Sequence, residues 1–274
     1  MTAQTLMLNA LIKQVYKGTG SLKNFLPEGV VLADFPLQTG KVSRGGDLAG
    51  WISTIHYSWI EPLIAKFDKA LRPYVAAALT EDQSTALQLR RAFLEAPLVR
   101  FFQKELFAHL SAPDVLPFSQ IPPSPLDALL FMPKARLMHL IDLVGIQDVA
   151  LDFKKVIAKE QQALLTALFT PLQKQYFDYC MKESLIPLQE SKPAIFWLEH
   201  KNPKSLIHSA GLWRLSRLIA REEKSWQWYF LHYLDRGRGL QIEKWIEEDK
   251  AIPLEGKARD KVLEQVVRLI EALK

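Results

Sequence analysis

The chain has 274 residues, 49% of them hydrophobic and 24% charged. Those proportions leave ample apolar material for a core and exclude an extensively disordered chain. The lone cysteine, Cys180, excludes an internal disulfide framework and any metal site built from cysteine alone. The 35 basic and 30 acidic residues give a formal charge of +5, spread along the chain rather than gathered into the basic block of a dedicated nucleic-acid binder.

Residues 1–18 place Leu6, Leu8, Leu11, Ile12, Val15 and Tyr16 at helical spacing, with Gly18 as a stop. They lack a basic start and a small-residue cleavage site, and no apolar run reaches the roughly 18 residues a membrane span needs. A cytoplasmic protein is expected, at the inner face of a membrane only through partners. Seven of the twelve glycines lie in the first fifty residues, so residues 18–47 are expected to be irregular. Beyond them, Gly145 is the only glycine between Gly50 and Gly211. Glycine weakens helix interiors by about 1 kcal/mol, so its scarcity, with 3.6-residue apolar spacing, predicts helices.

Asp47 opens a helical stretch to about Leu79, interrupted near Pro62 and Pro73. Thr80 and Gln83 form a capping-box pattern, predicting a helix to about Ala96. Pro97 then suits the first turn of a helix carrying Leu98, Phe101, Phe102 and Leu106. Residues 113–125 hold five prolines and form either a linker or an ordered crossing loop. They divide a helical region over 1–112 from a helical array over 126–274.

In the array, Pro133 precedes a helix with Leu137, Leu140, Ile141 and Val144, expected to stop at Gly145. Further helices follow around 149–157 and 164–168. Thr170-Pro171 supplies an N-cap and a first-turn proline for a helix bearing Leu172, Tyr176, Phe177 and Cys180. After Pro187 and Pro193, Asn202-Pro203 opens a helix through Leu206 to Ile219. The next, Trp226 to Leu234, is expected to end at Asp235-Arg236-Gly237, and the last runs from Lys257 to Lys274. The predicted fold is therefore all-α, an irregular array of short and medium helices.

No local pattern announces catalysis. The six histidines (His56, His109, His139, His200, His208 and His232) show no metal-ligand spacing. Gly40-Lys41-Val42-Ser43 lacks the first glycine and the hydroxyl residue of a phosphate-binding loop, and no Gly-x-Ser-x-Gly elbow exists. Cys180 is expected to be buried and inert, and no metal or cofactor is expected. Two features suggest binding. Arg214, Arg217 and Arg221 share a helical stripe ending near Lys224, which reads as an anion-facing or solvated face. Trp226 and Trp228 lie about 200° apart around a helix and cannot face one core, which makes Trp228 a candidate partner contact.

The pattern Leu-x-x-Leu-Ile-x-Leu-Val-Gly over 137–145, the apolar helices after it and the helix 175–180 resemble the middle of the SctK family. These are cytosolic accessory proteins of bacterial type III secretion systems. A second similarity lies in Leu-Ile-His-Ser-Ala-Gly-Leu-Trp over 206–213, followed thirteen residues after Trp213 by Trp226. Gly211 and Trp226 match family positions as packing residues, and no match precedes the proline run. The resemblance implies a non-enzymatic scaffold that links the cytosolic sorting platform to the inner-membrane ring. Its implied partners are the platform's pod protein and the ring protein's cytoplasmic domain, with stator and ATPase further inward. The alternative from the residues themselves is a helical binder of nucleic acid or another anionic surface through the arginine stripe. A third reading is an enzyme whose site assembles only in three dimensions.

Overall fold

A computed structural model describes residues 48–112, 114–154, 167, 169–182, 203–249 and 256–273. All regular structure among them is helical: α1 (Leu48–Thr54), α2 (Tyr57–Ile64), α3 (Arg72–Ala76), α4 (Glu81–Ala86), α5 (Ala96–Leu110), α6 (Asp127–Phe131), α7 (Lys134–Phe153), α8 (Pro171–Lys182), α9 (Pro203–Ile219), α10 (Lys224–Tyr233), α11 (Arg236–Asp249) and α12 (Gly256–Ala272), with a 3-10 turn at Phe118–Gln120. The all-α expectation holds. The expected N-terminal helix, the Gly-rich region 18–47, the segment around 156–166 and the prolines at 187 and 193 lie outside the described residues.

Two apolar clusters organise the helices. The larger is built from α6 to α12 with Trp51 of α1, and Leu137, Leu140, Ile141 and Val144 of α7 pack in it with Ile207, Leu215 and Leu218 of α9. The smaller gathers Ile52, Ile60, Val75, Leu79, Phe102 and Leu106 from α1 to α5. α10 sits between them. Its Trp226 and Phe230 are fully buried in the larger cluster, while Trp228 packs against both.

The proline-rich stretch runs across this arrangement. Phe118 and Ile121 are buried in the larger cluster. Leu116 receives a hydrogen bond at its carbonyl from Tyr229 Oη (3.2 Å) and donates its own N–H to Ser225 Oγ (3.0 Å). Proline has no N–H to satisfy, so such a stretch can cross a core with few buried donors left over.

Several local expectations change. Gly145 does not stop a helix; α7 continues from Lys134 to Phe153 with the glycine in its interior. A Cβ at Gly145 would stand 1.9 Å from the Ile207 carbonyl oxygen, and one at Gly211 would stand 1.8 Å from that of Ile141. The two glycines are where α7 and α9 cross backbone to backbone. The Thr80 capping box forms as expected, with Gln83 N–H on Thr80 Oγ1 (3.1 Å) and Thr80 N–H on Gln83 Oε1 (2.9 Å). Its helix nevertheless ends at Ala86, because Gln88 turns to a left-handed φ of 54° and Leu89 N–H bonds back to Ser84. α10 ends at Tyr233, just before Asp235-Arg236-Gly237 as expected, but that segment also opens the next helix. Asp235 caps α11 through Arg238 N–H (3.2 Å), and the buried Ile242 and Ile246 give that helix its core face.

Candidate partner-binding residues

The arginine stripe does not lie on an open face. α9 packs against α7, α11 and α12, so its flanks turn inward. Arg214 has no exposed surface; one guanidinium nitrogen donates to the Asp148 carboxylate of α7 and another to Gln265 Oε1 of α12 (3.3 Å). Arg217 is buried as well, its guanidinium carbon 5.6 Å from the centre of the Trp213 ring. Of the three, Arg221 alone is exposed. The expected anion-facing or solvated stripe is thus corrected. An arginine on a surrounded helix can be buried when a carboxylate meets it, because the pair removes the cost of an isolated buried charge. Spacing within α9 could not reveal this, because Asp148 and Gln265 come from α7 and α12.

Trp228 is corrected in the same sense. The two indoles of α10 do point in different directions, but each finds a core. Trp226 Nε1 donates to Asp127 Oδ1 (2.9 Å), and Trp228 Nε1 donates to the Leu110 carbonyl (3.3 Å) while its ring meets Phe107 edge-on. Two directions on α10 therefore need no partner to explain them, although Trp228 itself is only partly buried.

Beside Trp228 lies a stack that sequence reasoning missed. The His232 ring lies between Trp59 of α2 and Trp228, with ring centroids 4.2 Å away on each side and planes within 30°. Its Nδ1 bonds the Trp228 carbonyl (2.8 Å). Backbone bonds reinforce the join: His56 N–H reaches the His232 carbonyl (2.8 Å), and Trp59 Nε1 reaches that of Leu234 (2.9 Å). Gly239 makes room for this, since a Cβ there would come 2.5 Å from the Trp59 ring. Burial pushes the His232 pKa down to about 4, against a smaller upward pull from the Trp228 carbonyl. The imidazole is therefore neutral at neutral pH and acts as an aromatic spacer.

A polar chain runs over the junction of α7, α9 and α11. His208 Nδ1 meets Asp142 Oδ1 (2.7 Å), Arg238 Nε donates to His208 Nε2 (2.7 Å), and Arg238 also pairs with Asp235. His56 and Lys134 lie near it, each with its pKa lowered by burial, His56 also by the Lys134 charge. Burial alone would raise the Asp235 pKa, but its bonds to Arg238 hold it below the ordinary carboxylate value. An Asp–His pair can serve as a base only if the second imidazole nitrogen is free. Here Nε2 already accepts from Arg238, so the chain ties helices together rather than offering a base.

Cys180 is buried, as expected, on the face of α8 near Tyr176, whose hydroxyl accepts from Gln147 (2.7 Å) and whose pKa burial raises. Among the described residues no group of three or more His, Cys, Asp or Glu side chains is placed to hold a metal ion, and no helix is long and apolar enough to cross a membrane. The chain matches no protein-family model, no curated protein and no solved structure.

Proposed function

We propose that the chain is a non-enzymatic helical scaffold that works as an adaptor between the type III secretion sorting platform and the inner-membrane ring. One observation carries this reading. The two segments that bear the resemblance, 137–145 and 206–213, pack on each other at the Gly145–Gly211 crossing, with less than 2 Å between a Cβ at either glycine and the opposite backbone. Residues that a resemblance selects separately in sequence therefore serve one contact, as expected if the shared pattern encodes a shared helix pair. The pod protein and the cytoplasmic domain of the ring protein are the proposed partners. The adaptor reading asks the molecule for a rigid body with outward-facing contacts, and polar clusters spent on internal pairing suit that demand.

The test is an affinity capture of the full chain from its native bacterium, read by mass spectrometry against a control bait. Enrichment of the pod protein, the ring protein or the stator is the expected result. Their presence in the lysate but not the eluate, with a tag at either end, contradicts the reading. Variants that map the contact belong at exposed positions such as Arg221, since changes at Arg214 or Trp228 disturb the core.

A further inference from the structure

His56 is the residue before α2, and its side chain caps that helix, with Nδ1 accepting from Ser58 N–H (3.3 Å). A backbone N–H can only donate, so Nδ1 carries no proton and also accepts from the Ser58 hydroxyl (2.9 Å). Ser58 Oγ in turn accepts from the backbone N–H of Arg236, the first residue of α11 (2.8 Å). A directed chain therefore runs from α11 through Ser58 to His56. The His56 backbone belongs to the same join, with its N–H on the His232 carbonyl of α10 (2.8 Å) and its carbonyl receiving Trp59 N–H (3.0 Å). Both hydrogen bonds of the His56 ring thus need a bare Nδ1. An imidazolium donates from both nitrogens and would meet Ser58 N–H donor to donor.

We propose that His56 is a proton-operated latch on the join between the two clusters. With Nδ1 bare it holds α2 against α10 and α11. With a proton there, the cap and the chain to Arg236 break, and α2 loosens from both helices. The surroundings disfavour that proton. Burial opposes it most; the Lys134 ammonium of α7 and the Arg238 guanidinium of α11 oppose it as well, and the Asp235 carboxylate alone favours it. Asp235 is already paired with Arg238. From α2 the ring meets Tyr57, centroids 4.3 Å apart, and from α10 the nearest titratable group is the neutral His232. In the join His56 therefore resists a proton that the open chain takes up near pH 6.5. The join is strongest above pH 6.5 and weakens as the pH falls below it. His232, pushed down to about 4 by burial, adds in the same direction. The latch does not depend on the adaptor reading.

The experiment is hydrogen exchange of the purified full chain between pH 7.5 and 5, corrected for the intrinsic rate at each pH. The His56 amide and Trp59 Nε1, which donates to the Leu234 carbonyl, report on the join, and α9 amides report on global unfolding. The join reporters should lose protection with acid before the α9 amides do. Asn is a good cap that takes up no proton, so His56→Asn should leave opening at pH 7.5 within about twofold of the parent. It should also make the rise with acidity less steep. His56→Ala removes the acceptor and should raise opening about fivefold already at pH 7.5. Nitrogen NMR of the parent should show His56 Nδ1 bare at pH 7.5. The proposal is overturned by a protonated Nδ1 at that pH, by join reporters that exchange only with α9, by equal steepness in the parent and His56→Asn, or by a His56→Ala join as closed as the parent's.

Discussion

Arg214 and Asp148 form the most deeply buried ion pair described in the chain, at 0% and 5% side-chain exposure. Removing one partner leaves the other charged and away from water, at a cost of about 3–5 kcal/mol, whereas replacing both with apolar residues of similar size is often tolerated. Arg214→Met and Asp148→Leu should therefore each destabilise strongly, and the double variant should be more stable than either. Denaturant titration checks this; simple addition of the two losses would mean that they are not coupled. His232 gives a pH dependence of defined sign. The unfolded chain takes up its proton near pH 6.5, but the folded chain resists until about pH 4. Stability is therefore full above about pH 6.5 and falls as pH drops toward 4, by roughly 3 kcal/mol in total. The two indole faces favour an imidazolium and so work against the burial effect. Following the His232 ring by NMR titration should show it neutral at pH 6; a midpoint at or above 6.5 would refute the burial argument. The pairings of Arg214 with Asp148 and of His232 with Trp59 were not visible in sequence, because each joins segments far apart in the chain.

At the scale of elements, the local chemistry was the legible part. The Thr80 capping box forms as expected, and Thr170 caps its helix as expected, with Thr170 N–H on Gln173 Oε1 (2.9 Å) and Gln173 N–H on Thr170 Oγ1 (3.3 Å). Glycines were where the sequence misled. Gly145 looks like a helix stop, because a glycine that ends a helix and one that admits a neighbouring helix look alike in a single chain. The neighbour of Gly145 stands 66 positions on, at Gly211, and no local rule brings the two together. Substitution separates the two kinds of glycine. Alanine in an exposed helix should gain up to about 1 kcal/mol over glycine. Gly237→Ala should be neutral or mildly stabilising, since its Cβ would meet only the Asp235 side chain at 3.2 Å. Gly145→Ala and Gly211→Ala should instead lose more than about 2 kcal/mol, because the clash is with backbone that cannot swing aside. Thermal melts give the signs directly, and a stabilised Gly211→Ala would dissolve the close crossing.

Across the whole molecule, α10 makes the two clusters one mechanical unit. Trp228 and Phe107 pack against both clusters, the Trp59–His232 stack lies at the join, and Phe118 meets Trp51 of α1 with ring centres 4.9 Å apart and planes tilted by 51°. Composition and helical spacing sufficed for the all-α class and for most helices of the array. They could not reveal that the division near the prolines is crossed by packed side chains, because that depends on where Leu116 and Phe118 land. Unfolding followed by tryptophan fluorescence and by circular dichroism should give coincident transitions, and Trp228→Ala should separate them; two transitions in the parent chain would mean that the clusters are independent. The proposed adaptor would need such a join to hold two partners at a fixed separation. The most direct measurement is sedimentation of the purified chain with the purified cytoplasmic domain of the ring protein and with the purified pod protein, singly and together. The adaptor reading predicts a saturable complex with each and a ternary complex with both. Three folded proteins that sediment independently at every ratio would contradict it.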